Sequence, residues 1–571
     1  MAKIELIEDS DEGSIPSEVE EVEEQDEDNS LDAEDPETKA GDKRKSSSNR
    51  STQKALLRER KSRRLHNNVI TAARVAWGSE SIKNASPEER INRVEAVLRE
   101  ISSLINQICL KHDVSRLIQS CIKYGSDAQR IVIAEGLKGH VLELCMNQYG
   151  YHVILKILRY GSRSIQAQII SELKGNIARL CKHRVAFKIV DLAWRSACNS
   201  NQKNDLLFEF YGKEHSVFRD TSKPAPSLPE LLQSLDEKKR DTLLGEVRMF
   251  LDKCIAKGTM QLSLFHTLLR HYLTNVTDRE SLIESLKDHT LQICATLDGV
   301  IATCIMLDYS TPKLRKTIIK SWKGQVVIMA KDSDGYLAVA KALTIIDDAV
   351  MLQKCVINEL LPEICDLMQS PAGSKVLLQV IAPGQARYFT PAERGILKTV
   401  ESMSKKSDDV RRNDNLKHFV PAMISTLKDN FLLASNMLRD RSLSGLFENC
   451  LKCAMEMNDD VQDAAKDYLE ALVSCLSQGD LTDLDGEHLI AHPVAHRVFK
   501  SLCTSSQSLM HPVFTDFCLT NLQAILKSRA VWILVPLVES RPDIRAAVKK
   551  SLKKVDFSTV PGLKKLQELC K

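Results

Sequence analysis

The chain has 571 residues, 27% of them charged and 43% hydrophobic, with few glycines (22) and prolines (17) and 16 cysteines. This excludes a single core and a sheet punctuated by turns, and favours a soluble all-α protein of several subdomains. The net charge of +3 conceals an asymmetry: Met1–Asp42 carries 18 acidic residues against Lys3 and Lys39, a net −16, leaving +19 on residues 43–571, and a basic body of that kind points to polyanionic partners.

Residues 1–42 combine like charge with almost no apolar periodicity, so burial cannot offset the entropy of ordering them and a disordered acidic tail is expected. A basic arm follows over 43–85. Its clusters Lys43-Arg44-Lys45 and Arg60-Lys61-x-Arg63-Arg64, separated by a polar spacer, have the form of a bipartite nuclear import signal; the plainer alternative is an arm that touches phosphates. The start of the chain lacks the apolar segment of a secretory signal, and no window reaches 18 uninterrupted apolar residues, Ala530–Val538 being too short to span a bilayer. A nuclear or cytosolic protein without membrane contact is expected, its cysteines serving as small buried hydrophobes without disulfides.

From residue 86 the pattern turns helical. Ser86-Pro87-Glu88-Glu89 supplies an N-cap, a proline at the first helical position and a glutamate at the third, followed by Ile91, Val94, Val97, Leu98 and Ile101 at helical spacing. Over 86–198 a repeat emerges: Leu137-Lys138-Gly139-His140-Val141-Leu142-Glu143-Leu144-Cys145 returns 36 residues later as Leu173-Lys174-Gly175-Asn176-Ile177-Ala178-Arg179-Leu180-Cys181. Ser115-Arg116-Leu117-Ile118-Gln119 lies 36 residues before Tyr151-His152-Val153-Ile154-Leu155, and Ala186-Phe187-Lys188-Ile189-Val190 follows 35 later. Such a period marks stacked helical units that cannot bury their apolar faces alone, that is, an α-solenoid.

The proline-bearing stretch 199–232 reads as a joint between two arms. The register resumes over 233–403, where Gly299, Gly335 and Gly373 are 36 and 38 residues apart, and Thr311-Pro312 and Thr390-Pro391-Ala392-Glu393 supply further helix starts. Residues 404–571 form a last set of helical repeats with a weaker copy at Ala495-His496-Arg497-Val498. Ser404–Asn415 and Ser477–Glu487 read as exposed loops, the first with Lys405, Lys406, Arg411 and Arg412 available to phosphates.

Ser115-Arg116-x-x-Gln119 at the head of a 36-residue helical repeat resembles the base-reading element of Pumilio-homology (PUF) repeats, in which two side chains contact a base edge and the one between them stacks. Further phrases agree in order: Lys111-His112-Asp113-Val114, Gln148-Tyr149-Gly150, Phe208-Glu209-Phe210-Tyr211-Gly212, Ser310–Lys316, Ile346-Asp347-Asp348, Arg387-Tyr388-Phe389 and Ala491–His496. Together they are similar to the divergent, nucleolar Puf-A class with its C-terminal CPL domain, over about residues 90 to 571. The resemblance implies a right-handed solenoid of Pumilio/armadillo-like repeats, roughly eleven in two arms meeting at a bend, with 404–571 as the CPL part. It also implies binding of structured RNA or double-stranded DNA with low sequence specificity, in the nucleus and nucleolus, during rRNA processing and large-subunit assembly. Translational repression of mRNAs is a second activity in the class. The implied partners are RNA (pre-rRNA or mRNA), double-stranded DNA, pre-ribosomal proteins and an import receptor.

Departures from that pattern bear on specificity. Leu155 replaces the amide in the second unit, Ala186 and Val190 offer no edge contacts in the third, and Val300 and Cys304 do no better. Without such contacts the usual discrimination of about 1–3 kcal/mol per base is lost, leaving stacking and phosphate contacts. The candidate nucleic-acid residues are Ser115, Arg116, Gln119, Tyr151, His152, Lys156, Arg159, Lys182 and Lys188, with Lys313, Arg315, Lys316 and Lys320 on the densest basic helix downstream. Phe187, among apolar neighbours, reads as core. Cys450-Leu451-Lys452-Cys453 lacks a second ligand pair, and His492 and His496 lack the glutamate of a zinc protease, so no metal, cofactor or enzyme is expected. The alternatives are a sequence-specific mRNA repressor and a HEAT- or importin-like protein-binding solenoid.

Overall fold

The computed structural model describes residues 66–78, 82–212, 225–400, 404–477, 488–504, 511–540, 544–553 and 562–570. The acidic tail, both basic clusters, residues 213–224 of the joint with Pro224, and the polar stretch 478–487 lie outside them. Among the described residues the secondary structure is helical, without strands. No described helix is long and apolar enough to cross a membrane. The chain divides into two compact units at Leu268/Leu269.

In the first unit, leading helices α1 (Pro87–Ile101), α3 (Asp127–Leu137) and α5 (Arg163–Leu173) alternate with trailing helices α2 (His112–Tyr124), α4 (Gly150–Tyr160) and α6 (Phe187–Leu192). Ser86 caps α1 as its sequence indicates, accepting a hydrogen bond from the Glu89 amide. Val94, Val97, Leu98 and Ile101 are buried at helical spacing, as are Val153, Ile154, Ile157 and Leu158 of α4. Trailing helices pack side by side, α2 on α4 and α4 on α6.

The Lys-Gly phrase is the turn that ends a leading helix. Gly139 and Gly175 adopt φ of +80° and +83°, a left-handed conformation costly for any residue with a Cβ. Each turn is tied to the next repeat. The Gly139 amide donates to Glu172 at 2.9 Å, and Glu209 accepts from Gly175 at 2.6 Å and from Ile177 at 2.8 Å. In the second unit Gly324, with φ of +79°, donates to Glu359 at 2.7 Å.

A second tie closes the end of the preceding helix. Arg90, Arg130, Gln166 and Arg315 each donate to a backbone carbonyl eight residues upstream, those of Ile82, Ile122, Leu158 and Leu307, at 2.8–3.1 Å. The carbonyls of Ile122, Leu158 and Leu307 lie in the last turn of a helix, where intrahelical partners run out and the dipole is negative, whereas that of Ile82 opens a short 3-10 turn.

In the second unit the trailing row runs through α7 (Leu297–Tyr309), α9 (Tyr336–Ile345), α10 (Pro371–Ile381), α13 (Ser444–Met455), α14 (Ala495–Thr504) and α15 (Val531–Ser540), each packed on the next. Helix α8 (Pro312–Ser321) is a leading helix between α7 and α9, and α11 (Pro391–Leu397) and α12 (Asp408–Asp429) precede α13. Thr390 and Glu393 form the capping box their spacing indicates.

The expected loop at 404–415 is corrected: α12 begins at Asp408 and carries that stretch inward. Arg411 is 4% exposed, paired with Asp347 at 2.9 Å and bonded to the Thr344 carbonyl, while Arg412 donates to the carbonyls of Val380 and Ile381. Neither guanidinium is left for a phosphate. The cysteines are free thiols, and Cys121, Cys181 and Cys304 are core residues.

Replacing Glu209 by alanine leaves the Gly175 and Ile177 amides without their acceptor, a loss of about 1–3 kcal/mol. The urea midpoint of the first unit's unfolding is expected to fall accordingly; an unchanged midpoint would mean that the Lys-Gly turn holds without its tie.

Candidate nucleic-acid interface

The starts of α4, α6 and α9 follow one local rule, and α2 shares its backbone part. Asn147 Oδ1 accepts from the amides of Tyr149 (2.8 Å) and Gly150 (3.0 Å); His183 Nδ1 accepts from Val185 and Ala186, and Asp332 Oδ1 from Asp334 and Gly335. The residue four places on then returns its amide to the turn residue's carbonyl: Ser115 to Lys111, Tyr151 to Asn147, Phe187 to His183, Tyr336 to Asp332. This shared turn fixes the register. It pairs Phe187, not Ala186, with Tyr151, so the spacing is 36 where the sequence alignment had 35. Arg116, His152 and Lys188 therefore occupy one position on three adjacent trailing helices.

Around that file the first unit gathers aromatic rings and cations. His112 meets Tyr149 edge-on at 5.4 Å between centroids, Tyr151 lies 3.9 Å from His152, and Lys188 Nζ stands 5.9 Å from the Tyr151 ring. Burial, and then the charges of Lys188, Lys156 and His112, hold the His152 imidazole below its ordinary proton affinity.

The expected site residues fare differently. Arg116, Lys156, Lys182 and Lys188 are half-buried and Arg159 is exposed. His152 is half-buried, whereas Tyr151 is buried and backs it instead of presenting a free face. Phe187, expected in the core, is half-buried on the same face. Ser115 does not stand free for a base: it is 1% exposed, its hydroxyl donates to the Tyr149 carbonyl at 2.8 Å, and Gln119 Nε2 donates back to it at 3.0 Å.

Downstream, Lys313, Lys316 and Lys320 are exposed, but on the leading helix α8 and so off the trailing face. Arg315 is no phosphate ligand. It is 3% exposed and spends its guanidinium on the carbonyls of Leu307, Asp308 and Ile345 and the hydroxyl of Ser404. His112 and Tyr149 join the cluster although the 36-residue offset pairs them with Gln148 and Asp113, so the repeat carries no signal for them. Among the described residues no group of three or more His, Cys, Asp or Glu could hold a metal ion.

Comparison with known proteins bears on this arrangement. Residues 115–137 and 140–174 match the Pumilio-family RNA binding repeat, and 369–511 match the CPL (NUC119) domain. The chain is 31% identical to Pumilio homology domain family member 6 of Schizosaccharomyces pombe over 419 residues, 72% of this chain and 64% of that protein, so it spans less than two thirds of that relative. It is 27% identical to Pumilio homolog 3 of Rattus norvegicus over 447 residues, 77% of this chain and 67% of the relative. The crystal structure of human Puf-A superposes with a TM-score of 0.76 at 25% identity, covering 88% of this chain and 99% of that one. Human Puf-A in complex with DNA gives 0.74 at 24%, covering 88% and 100%.

An NMR titration is expected to find His152 deprotonating below the ordinary histidine value, and Lys188→Gln to raise it. In the folded state this depressed value favours the neutral ring, so its contribution to stability is present above the unfolded value and is lost as pH falls through the folded one. An ordinary value in the native protein would separate His152 from the cationic cluster.

Proposed function

Because the chain is a Puf-A-like Pumilio protein with a C-terminal CPL domain, we propose that it binds nucleic acid, RNA above all, along the trailing-helix face of its first unit and with little base preference. The observation that carries this reading is the state of the one complete base-reading triplet. Ser115 and Gln119 bond to the protein itself, so the edge contacts that would select a base are largely spent. What faces outward is suited to a backbone and to base faces: Arg116, Lys156, Arg159, Lys182 and Lys188 with His112, Tyr149, His152 and Phe187. The DNA in the human Puf-A complex supports a binding mode without strict need of the 2′-hydroxyl.

The finer assignment is a nucleolar role in rRNA processing and assembly of the large ribosomal subunit. Its support is the resemblance together with the two basic clusters at 43–45 and 60–64. The acidic segment before them would compete with RNA for the basic face or engage basic ribosomal proteins.

Titration of the full chain with single-stranded and duplex RNA should give affinity that falls steeply with salt. Charge reversal at Lys156, Arg159 and Lys188 should weaken all sequences alike and flatten the slope of log affinity against log salt by about 0.7–0.9 per lost contact. No binding at low salt would overturn the nucleic-acid reading; loss confined to one sequence would favour a base-selective repressor. Alanines at both basic clusters should abolish nuclear accumulation of the tagged protein, and nuclear entry without them would contradict their role as an import signal.

A further inference from the structure

The trailing row of the second unit repeats the register of the first. Tyr336, Ser374, Ser444 and His496 each return their amide to the carbonyl four residues back, as Tyr151 does. Trp532 follows His496 by 36 residues, behind a turn in which the Ser528 hydroxyl accepts from the Ala530 amide. Lys375 and Arg497 thus take the place held by His152.

Over α9, α10 and α13 this face is already occupied by the chain itself. Glu393 of α11 accepts from Lys375 Nζ at 2.6 Å and from the Tyr336 hydroxyl. Lys341, 0% exposed, donates to the carbonyls of Ile396 (2.9 Å) and Lys398 (2.7 Å) and pairs with Asp308 at 2.8 Å. Arg387 pairs with Glu448 at 3.2 Å, and the Tyr388 ring lies so close over Gly445 that a Cβ there would collide with it. Phe389 and Leu397 are buried with this strap.

The strap also shows what such a face takes. Lys375 Nζ stands 5.3 Å from the Tyr336 ring, much as Lys188 stands to Tyr151, and the pair holds an anionic oxygen. Burial alone would raise the Glu393 carboxyl, but the bonds from Lys375 and Tyr336 bring it down to about 2.

Beyond α13 the strap ends. On α14 and α15 and in the turns just before them, Arg497 and Arg529 are exposed, His492, His496, Lys500 and Trp532 are half-buried, and Lys500 Nζ stands 5.0 Å from the Trp532 ring. Among the described residues Arg497, Lys500 and Arg529 form no ion pair. Burial first, and then the charges of Arg497, Arg529 and Lys500, disfavour protonation of His496.

We propose that α14 and α15 form a second nucleic-acid contact surface, in which Arg497, Lys500 and Arg529 hold phosphates of a single-stranded segment and the Lys500–Trp532 pair takes an anionic oxygen as Lys375 and Tyr336 do. It rests on the nucleic-acid reading above. Salt-dependent anisotropy titration of full-length protein with single-stranded RNA tests it, comparing wild type, Arg497→Glu/Arg529→Glu and Lys156→Glu/Lys188→Glu. Both variants should bind more weakly, and the Arg497→Glu/Arg529→Glu slope should be shallower by roughly 1.4, two contacts at about 0.7 each. Lys500→Gln, which removes one charge without reversing it, should lose about half that slope, and unchanged thermal unfolding would show that the variants fold. Wild-type affinity and slope in Arg497→Glu/Arg529→Glu, with weakening only in the first-unit variant, would overturn the second surface and leave the first. Absence of wild-type binding at low salt would overturn both.

Discussion

A helix that stops inside a stack leaves carbonyls and amides facing neither water nor one another, and the rest of this molecule follows from how that is resolved. The carbonyl end of a preceding helix is closed from the next leading helix, by Arg130, Gln166 or Arg315, eight residues on. The left-handed glycine at the end of a leading helix is closed from the repeat beyond, by Glu172, Glu209 or Glu359. Leaving such groups unpaired costs about 1–3 kcal/mol each, and the glutamate ties are made at separations of 33, 34 and 35 residues, so each repeat closes its own turn although the spacing varies by a residue. With those ends closed, the trailing-helix starts at Ser115, Tyr151 and Phe187 recur every 36 residues and set Arg116, His152 and Lys188 in one file.

The same constraint divides the cations into two populations. Taking a charge out of water costs several kcal/mol unless it is fully paired, and the buried ones are: Lys341 directs its ammonium to a carboxylate and two carbonyls, Arg411 to Asp347, Asp408 and backbone oxygens. Such groups hold the fold and cannot be lent to a phosphate without breaking it. Among the described residues, Lys188 and Arg497 on the trailing face form no ion pair, and a polyanion can take up their charge while its counterions are released.

Much of this was legible in the sequence because it is local. The Lys-Gly turn and the caps at Ser86 and Thr390 depend on residues within one turn of each other, the 36-residue offset shows as a repeated phrase, and the helical architecture followed from them. The fate of Arg315 and Arg411 was not legible, since Ile345, Asp347 and Thr344 lie 30 to 67 residues away and a charged helix start reads like an exposed loop. Ser115 was misjudged for a related reason: its hydroxyl meets the Tyr149 carbonyl of the next repeat, which no pattern within its own repeat announces. Phe187 needed the His183 turn to settle its register, and the strap over α9 to α13 left no periodic trace at all.

Photocrosslinking of single-stranded RNA to the full chain, with the attached residues located by mass spectrometry, tests most directly whether the period holds a nucleic-acid backbone. Attachment is expected on the trailing face, at His112, Tyr149, His152, Phe187 and Lys188, on helices one repeat apart. Attachment concentrated on Lys313, Lys316 and Lys320 of the leading helix α8, with none on α2, α4 or α6, would contradict it.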